Sequence, residues 1–132
     1  MSDNSARGVV ERMLDHASHA RWDQLHDVLD EEFEIVEPES LPYGGTHRGV
    51  RGYVELMKDI GRLFELEFDV KRELQLDDAS VLLQMDVTFM ARTTGRSQRL
   101  PVIELLQVRA GRVTRSEIYI SDTAALLRTL AE

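Results

Sequence analysis

Apolar residues recur along this chain at two periods, helical up to Phe64 and strand-like from Leu66 to Ser121. Val9, Val10, Met13, Leu14 and Ala17 fall on one face of a helix over residues 5–20, with Ser5 placed to cap it. Trp22, Leu25, Val28 and Leu29 predict a short second helix, and residues 33–36 a short strand. Pro38, Pro42, Gly44 and Gly45 force a loop. Val50, Tyr53, Val54, Met57, Ile60 and Phe64 mark the inner face of a third helix over 49–64. Leu66, Phe68, Val70, Leu74 and Leu76 then alternate with charged or polar neighbours, as in a strand with one wet face. Asp77-Asp78, Thr94-Gly95-Arg96 and Ala110-Gly111 separate three more alternating runs, and Asp122-Thr123 opens a last helix over 124–130. The order predicts an α+β fold: three N-terminal helices packed on a strongly curved antiparallel sheet, a cone with an internal pocket, and a short C-terminal helix. Neither a linker nor a repeat interrupts the 132 residues, so the expectation is one domain over 1–132.

Composition narrows the function classes. The chain has no cysteine, which removes disulfides and thiolate metal sites. A net charge of −8 argues against nucleic acid, because phosphate binding needs a concentrated basic surface. Arg92, Arg96 and Arg99 do cluster, but they flank a turn and read as a solvated hairpin tip. Uncharged apolar runs are too short for a membrane span or a secretory leader, so the expected location is cytoplasmic with no membrane partner.

Chemistry has to come from the face of the sheet that the helices cover. If Ala110-Gly111 is a two-residue turn, Glu104 lies opposite Glu117, Val102 opposite Tyr119 and Leu106 opposite Arg115. The same parity reaches Met85, Val87 and Phe89, then Arg72, Val70 and Phe68, a face whose apolar character marks it as the inside. Glu104 stands out within an otherwise uncharged run. A carboxylate there either has a raised pKa and moves protons, or pairs structurally with Arg72 or Arg115. Arg72, Met85, Glu117 and Tyr119 are its expected ligand-binding neighbours. Tyr43, between Pro42 and Gly44, either offers its hydroxyl to a ligand at the pocket mouth or only packs there. His47 in the same loop reads as idle. His16, His19 and His26 lack a zinc spacing, and no phosphate-binding, dinucleotide or nucleophile-turn motif is present, so neither metal nor cofactor is expected.

Three stretches resemble the SnoaL-like branch of the nuclear transport factor 2-like superfamily: residues 39–49 with Pro-Tyr-Gly-Gly and Arg-Gly, residues 94–97, and residues 119–127 with an aromatic, an Asp and a helix. The resemblance implies a cone-shaped fold, frequent dimers and an apolar pocket, in a superfamily of polyketide cyclases, ketosteroid isomerases, limonene-1,2-epoxide hydrolases, dehydratases and plain binding domains. It singles out Asp122 as a base; on the residues alone Asp122 equally caps the last helix, and it faces inward only if its strand carries a bulge. The likeness to epoxide hydrolases breaks at their Arg and Asp two positions apart, where this chain has Met85 and Val87, or Gln84 and Asp86 with a gap. Two functions remain: a cofactor-free isomerase, cyclase, dehydratase or hydrolase acting on a small apolar molecule through Asp122 or Glu104, or a non-catalytic ligand-binding or dimerisation domain. Leu82, Met90, Ile103, Leu105, Ile118 and Ile120 are expected on the outer sheet face, an apolar patch fit for a homodimer.

Overall fold

The computed structural model describes residues 5–131; residues 1–4 and 132, which the single-domain expectation includes, lie outside the described residues. Helix α1 spans Ala6–Ser18, and Ser5 caps it by accepting a hydrogen bond from the Gly8 amide at 3.1 Å. A six-residue 3-10 turn, Trp22–Asp27, follows. The chain then runs through β1 (Leu29–Glu37), β2 (Gly45–Arg48), α2 (Gly49–Leu63), β3 (Phe64–Asp77), β4 (Ser80–Ala91), β5 (Ser97–Arg109), β6 (Arg112–Ile120) and α3 (Thr123–Leu130). The periodicity located each of these except β2, four residues too short to show alternation.

The six strands form one sheet in the order β2-β1-β6-β5-β4-β3. β3 to β6 are the expected antiparallel meander, but β1 lies parallel to β6 and antiparallel to β2, so the sheet is mixed. Two further expectations are corrected. Only two α-helices precede the meander, because Trp22–Asp27 winds as a 3-10 turn. The sheet is not strongly curled; α1, α2 and the loop carrying Tyr43 wall the space above it.

Helix α2 directs Tyr53, Leu56 and Ile60 onto the sheet, and α1 directs Val9, Val10 and Met13. Phe33, Phe64 and Leu106 lie fully buried beneath them. The last helix is held at both ends. The Asp122 carboxylate accepts from the Ala125 amide at 2.9 Å, and the Thr94 hydroxyl donates to the Thr129 carbonyl at 2.5 Å. Removing the cap leaves an orphan amide in the first turn of α3. Asp122→Ala should therefore lower stability by about 1 kcal/mol in urea unfolding while Asp122→Asn retains most of it; equal losses in both variants would contradict a capping role.

Candidate functional site

Two β-bulges decide which side chains face the helices. The Ala110-Gly111 hairpin turn forms as expected, with both residues at positive φ (52° and 77°). Three residues later, however, the register shifts: Val108 pairs with Val113, but Gln107 pairs with Arg115, leaving Thr114 as the extra residue. The parity of the rest of β6 is thereby reversed. Ser116, Ile118 and Ile120 join Leu106, Glu104 and Val102 on the inner face. Arg115, Glu117 and Tyr119, expected inside, stand on the outer face. There Glu117 accepts from Arg115 at 3.0 Å and from the Tyr119 hydroxyl, contacts that hold its carboxyl below the usual range. A second shift in β3 pairs Val70 with Met85 but Arg72 with Gln84, so the extra Lys71 turns Arg72 out as well. Ile118 and Ile120 consequently leave the expected outer patch, which keeps Leu82, Met90, Ile103 and Leu105.

Between the inner face and the helices lies a cavity of about 440 Å³, walled chiefly by aliphatic and aromatic side chains from β3–β6, α1 and α2. Met85 lines it, as the alternation indicated, and so does Glu104. Glu104 is buried at 7% exposure, with Leu83 and Ile118 opposite it on the flanking strands. The Ser116 hydroxyl donates to its carboxylate at 2.6 Å. Its structural partner is thus a hydroxyl, not Arg72 or Arg115. Burial raises its pKa, and the Ser116 bond opposes that rise.

The sequence reading missed the second carboxyl of the cavity. Glu37, 6% exposed, follows Phe33 and Ile35 on the inner side of β1. Val36 lies beside Glu117 in the parallel β1–β6 ladder; one step further sets Glu37 level with Ile118, which is itself opposite Glu104. The two glutamates therefore occupy one row across the sheet with a single strand between them, roughly 10 Å apart at Cα, a span that two inward-leaning side chains can narrow. Desolvation first, then the charge of Glu104, raise the Glu37 pKa from 4.5 to about 8. Among the described residues no hydrogen bond reaches the Glu37 carboxyl, and no Arg, Lys or His lines the cavity.

Two tyrosines complete the polar set. Tyr53 on α2 stacks edge-on against Phe33 at 5.8 Å, and burial with both glutamates pushes its hydroxyl pKa up. Tyr43 lines the cavity, and burial followed by the charge of Glu37 raises its pKa also. Its loop is tight: a Cβ on Gly44 would sit 2.3 Å from the Pro38 carbonyl oxygen, so only glycine fits. His47, expected to be idle, braces this loop through a 2.7 Å bond from Nε2 to the Tyr43 carbonyl. Asp122 is exposed, caps α3 and does not line the cavity. Among the described residues no cluster of His, Asp and Glu could hold a metal ion, and no helix is long and apolar enough to cross a membrane.

The profile of a family described as "SnoaL-like domain" matches residues 10–116. No curated protein is significantly similar in sequence. Among solved structures, the chain resembles a nuclear transport factor 2-like protein from Burkholderia xenovorans at 24% identity, covering 93% of each chain with a TM-score of 0.86. A nuclear transport factor 2-like protein of unknown function from Burkholderia pseudomallei is 18% identical over the full length of both chains, with a TM-score of 0.85. An LEH-like epoxide hydrolase from M. tuberculosis is 20% identical, over 95% of this chain and 88% of that one, with a TM-score of 0.69. At these identities the shared property is the fold. The sequence departure from epoxide hydrolases has a structural counterpart: Met85 and Val87 face the cavity, while Gln84 and Asp86 alternate away from it.

The buried glutamates make stability depend on pH with a definite sign. Glu37 keeps its proton in the folded chain up to about pH 8 and gives it up near 4.5 when unfolded. Between those values the folded state binds the extra proton, so stability falls as pH rises, on the order of 1 kcal/mol per unit, until Glu37 loses its proton in the fold near pH 8. Glu104 acts in the same direction. Urea unfolding at about pH 5.5 and about pH 7.5 should show this decline, and Glu37→Gln should flatten it; an unchanged slope in that variant would contradict the assignment.

Proposed function

Since the chain belongs to the SnoaL-like family, we propose that it is a cofactor-free enzyme moving protons on a small, largely apolar molecule that carries a carbonyl, as an isomerase, cyclase, dehydratase or hydrolase. One observation carries this reading: two carboxyls face a single apolar cavity, and burial pushes both pKa values toward the pH at which a cell operates. Their environments separate their roles. Ser116 supports the ionised form of Glu104, which suits it as the base. Glu37 lacks such a donor and lies beside that charge, so it keeps its proton and suits the acid. A C–H proton next to the carbonyl passes to Glu104, and the electron pair moves onto the carbonyl oxygen. Glu37, with Tyr43 or Tyr53, donates hydrogen bonds to that oxygen, and the proton returns to a different atom of the same substrate. Asp122, occupied in capping α3, takes no part.

The test needs no known substrate. A panel of cyclic ketones is incubated with the protein in deuterated water, and exchange of the protons next to the carbonyl is followed by NMR. Exchange faster than the buffer rate is expected for at least one ketone, falling about 10²–10⁴-fold in Glu104→Gln. No exchange on any of them would favour the non-catalytic binding domain, and full exchange in the folded variant would rule out Glu104 as the base. We also propose a two-fold dimer through the outer face, on the strength of Leu82, Ile103 and Leu105, which are incompletely buried there. Sedimentation at micromolar concentration should give twice the 15.1 kDa chain mass; a monomer would contradict it.

A further inference from the structure

The cavity of about 440 Å³ is unusual in the sign of its charges. Among the described residues that line it there is no Lys, Arg or His but three acids: Glu37 from β1, Glu104 from β5, and Asp15 from α1. Asp15 is already engaged by Arg21 and His19. The tyrosines that line it with Glu37, Tyr43 from the loop and Tyr53 from α2, add hydroxyls and no charge. Glu37 is more than nine-tenths buried and lines the cavity, with no hydrogen bond to its carboxyl among the described residues. A carboxylate taken out of water costs several kcal/mol unless a cation or donors replace the lost hydration. Among the described residues no cation and no hydrogen bond reaches Glu37.

From this we infer that the cavity's ligand is a small amine, an apolar body bearing one protonated nitrogen that pairs with Glu37. The inference rests on the cavity and on Glu104 as the base of the function proposed above, and names the chemical class of the substrate; with Glu37 ionised as the anchor, the hydrogen bonds to the carbonyl oxygen come from Tyr43 and Tyr53 in its place. Three physical points favour a cation. An anionic ligand would find only acidic groups among the described lining residues, with no cation to pair with it. A neutral ligand leaves the Glu37 proton where it is and gains at most one hydrogen bond. An ammonium lets Glu37 ionise, gains a charge-assisted bond, and also enters a space lined by the rings of Tyr43, Tyr53 and Phe89. Binding should then release a proton, because a positive neighbour lowers the affinity of Glu37 for its own.

The experiment compares three probes of one shape by isothermal titration calorimetry: 1-naphthylmethylamine, 1-naphthalenemethanol and 1-naphthoate. Each is titrated at neutral pH in two buffers of different ionisation enthalpy, so that proton release is counted along with affinity. The amine is expected to bind at least about tenfold more tightly than the alcohol, the naphthoate weakest of the three, and only the amine to release protons, up to about one per molecule bound. Glu37→Gln should remove both the preference and the proton release, while Glu104→Gln keeps the preference. Equal affinity for amine and alcohol, no binding of the amine at millimolar concentration, or a preference that survives Glu37→Gln would each overturn the inference. If Glu37→Gln does not fold by circular dichroism, the proton count on the unsubstituted protein decides. The two readings fail separately. Amine preference without ketone exchange overturns the enzymatic reading alone, and exchange without amine preference overturns this one alone.

Discussion

Desolvation of two carboxyl groups in one cavity is the constraint to which the rest of this structure answers. A carboxylate moved into such surroundings loses hydration worth several kcal/mol, and a second one nearby adds repulsion. The chain meets this cost in two ways. Ser116 donates a short bond to Glu104, and Glu37 keeps its proton up to about pH 8. Both carboxyl pKa values are thereby raised, that of Glu37 to about 8, where a carboxyl can give and take protons near neutrality. The arrangement is kept at a cost in stability that apolar side chains of the same volume would not incur, which is how functional sites commonly differ from cores.

The remaining architecture sets that pair in place. Parallel pairing of β1 with β6 brings Glu37 into the same row as Glu104. Helices α1 and α2 wall the cavity opposite the sheet, and Tyr53 on α2 packs edge-on against Phe33. Gly44 lets the loop fold back tightly enough to bury Tyr43, and His47 holds the loop closed. The outer face carries the opposite solution: Arg115, Glu117 and Tyr119 satisfy one another in solvent, so their charges impose no comparable strain.

Most of the fold was legible because amphipathic periods survive in the sequence. Val9 to Ala17, Val50 to Ile60 and the four long strands all show them. Glu104 was legible for the same reason, as a charge inside an apolar run. Arg72, Glu117 and Tyr119 were misplaced by single extra residues, Lys71 and Thr114, because a bulge reverses every side chain beyond it and leaves no mark in composition. Glu37 was missed because the strand was ended at Val36. One more step of the alternation Phe33, Ile35, Glu37 would have placed a glutamate on the buried face. The parallel partnership of β1 had no local signal, since it joins segments some eighty positions apart.

The central claim is that burial, acting on both glutamates together, holds a proton in this cavity at neutral pH. Carbon-13 NMR titration of the glutamate side-chain carboxyls, assigned with Glu37→Gln and Glu104→Gln, measures this directly. The account predicts a Glu37 midpoint of about 8, a Glu104 midpoint also above the ordinary carboxylate range, and a downward move of the Glu37 midpoint when Glu104 becomes glutamine. Midpoints for both residues near 4.5, independent of each other, would contradict it.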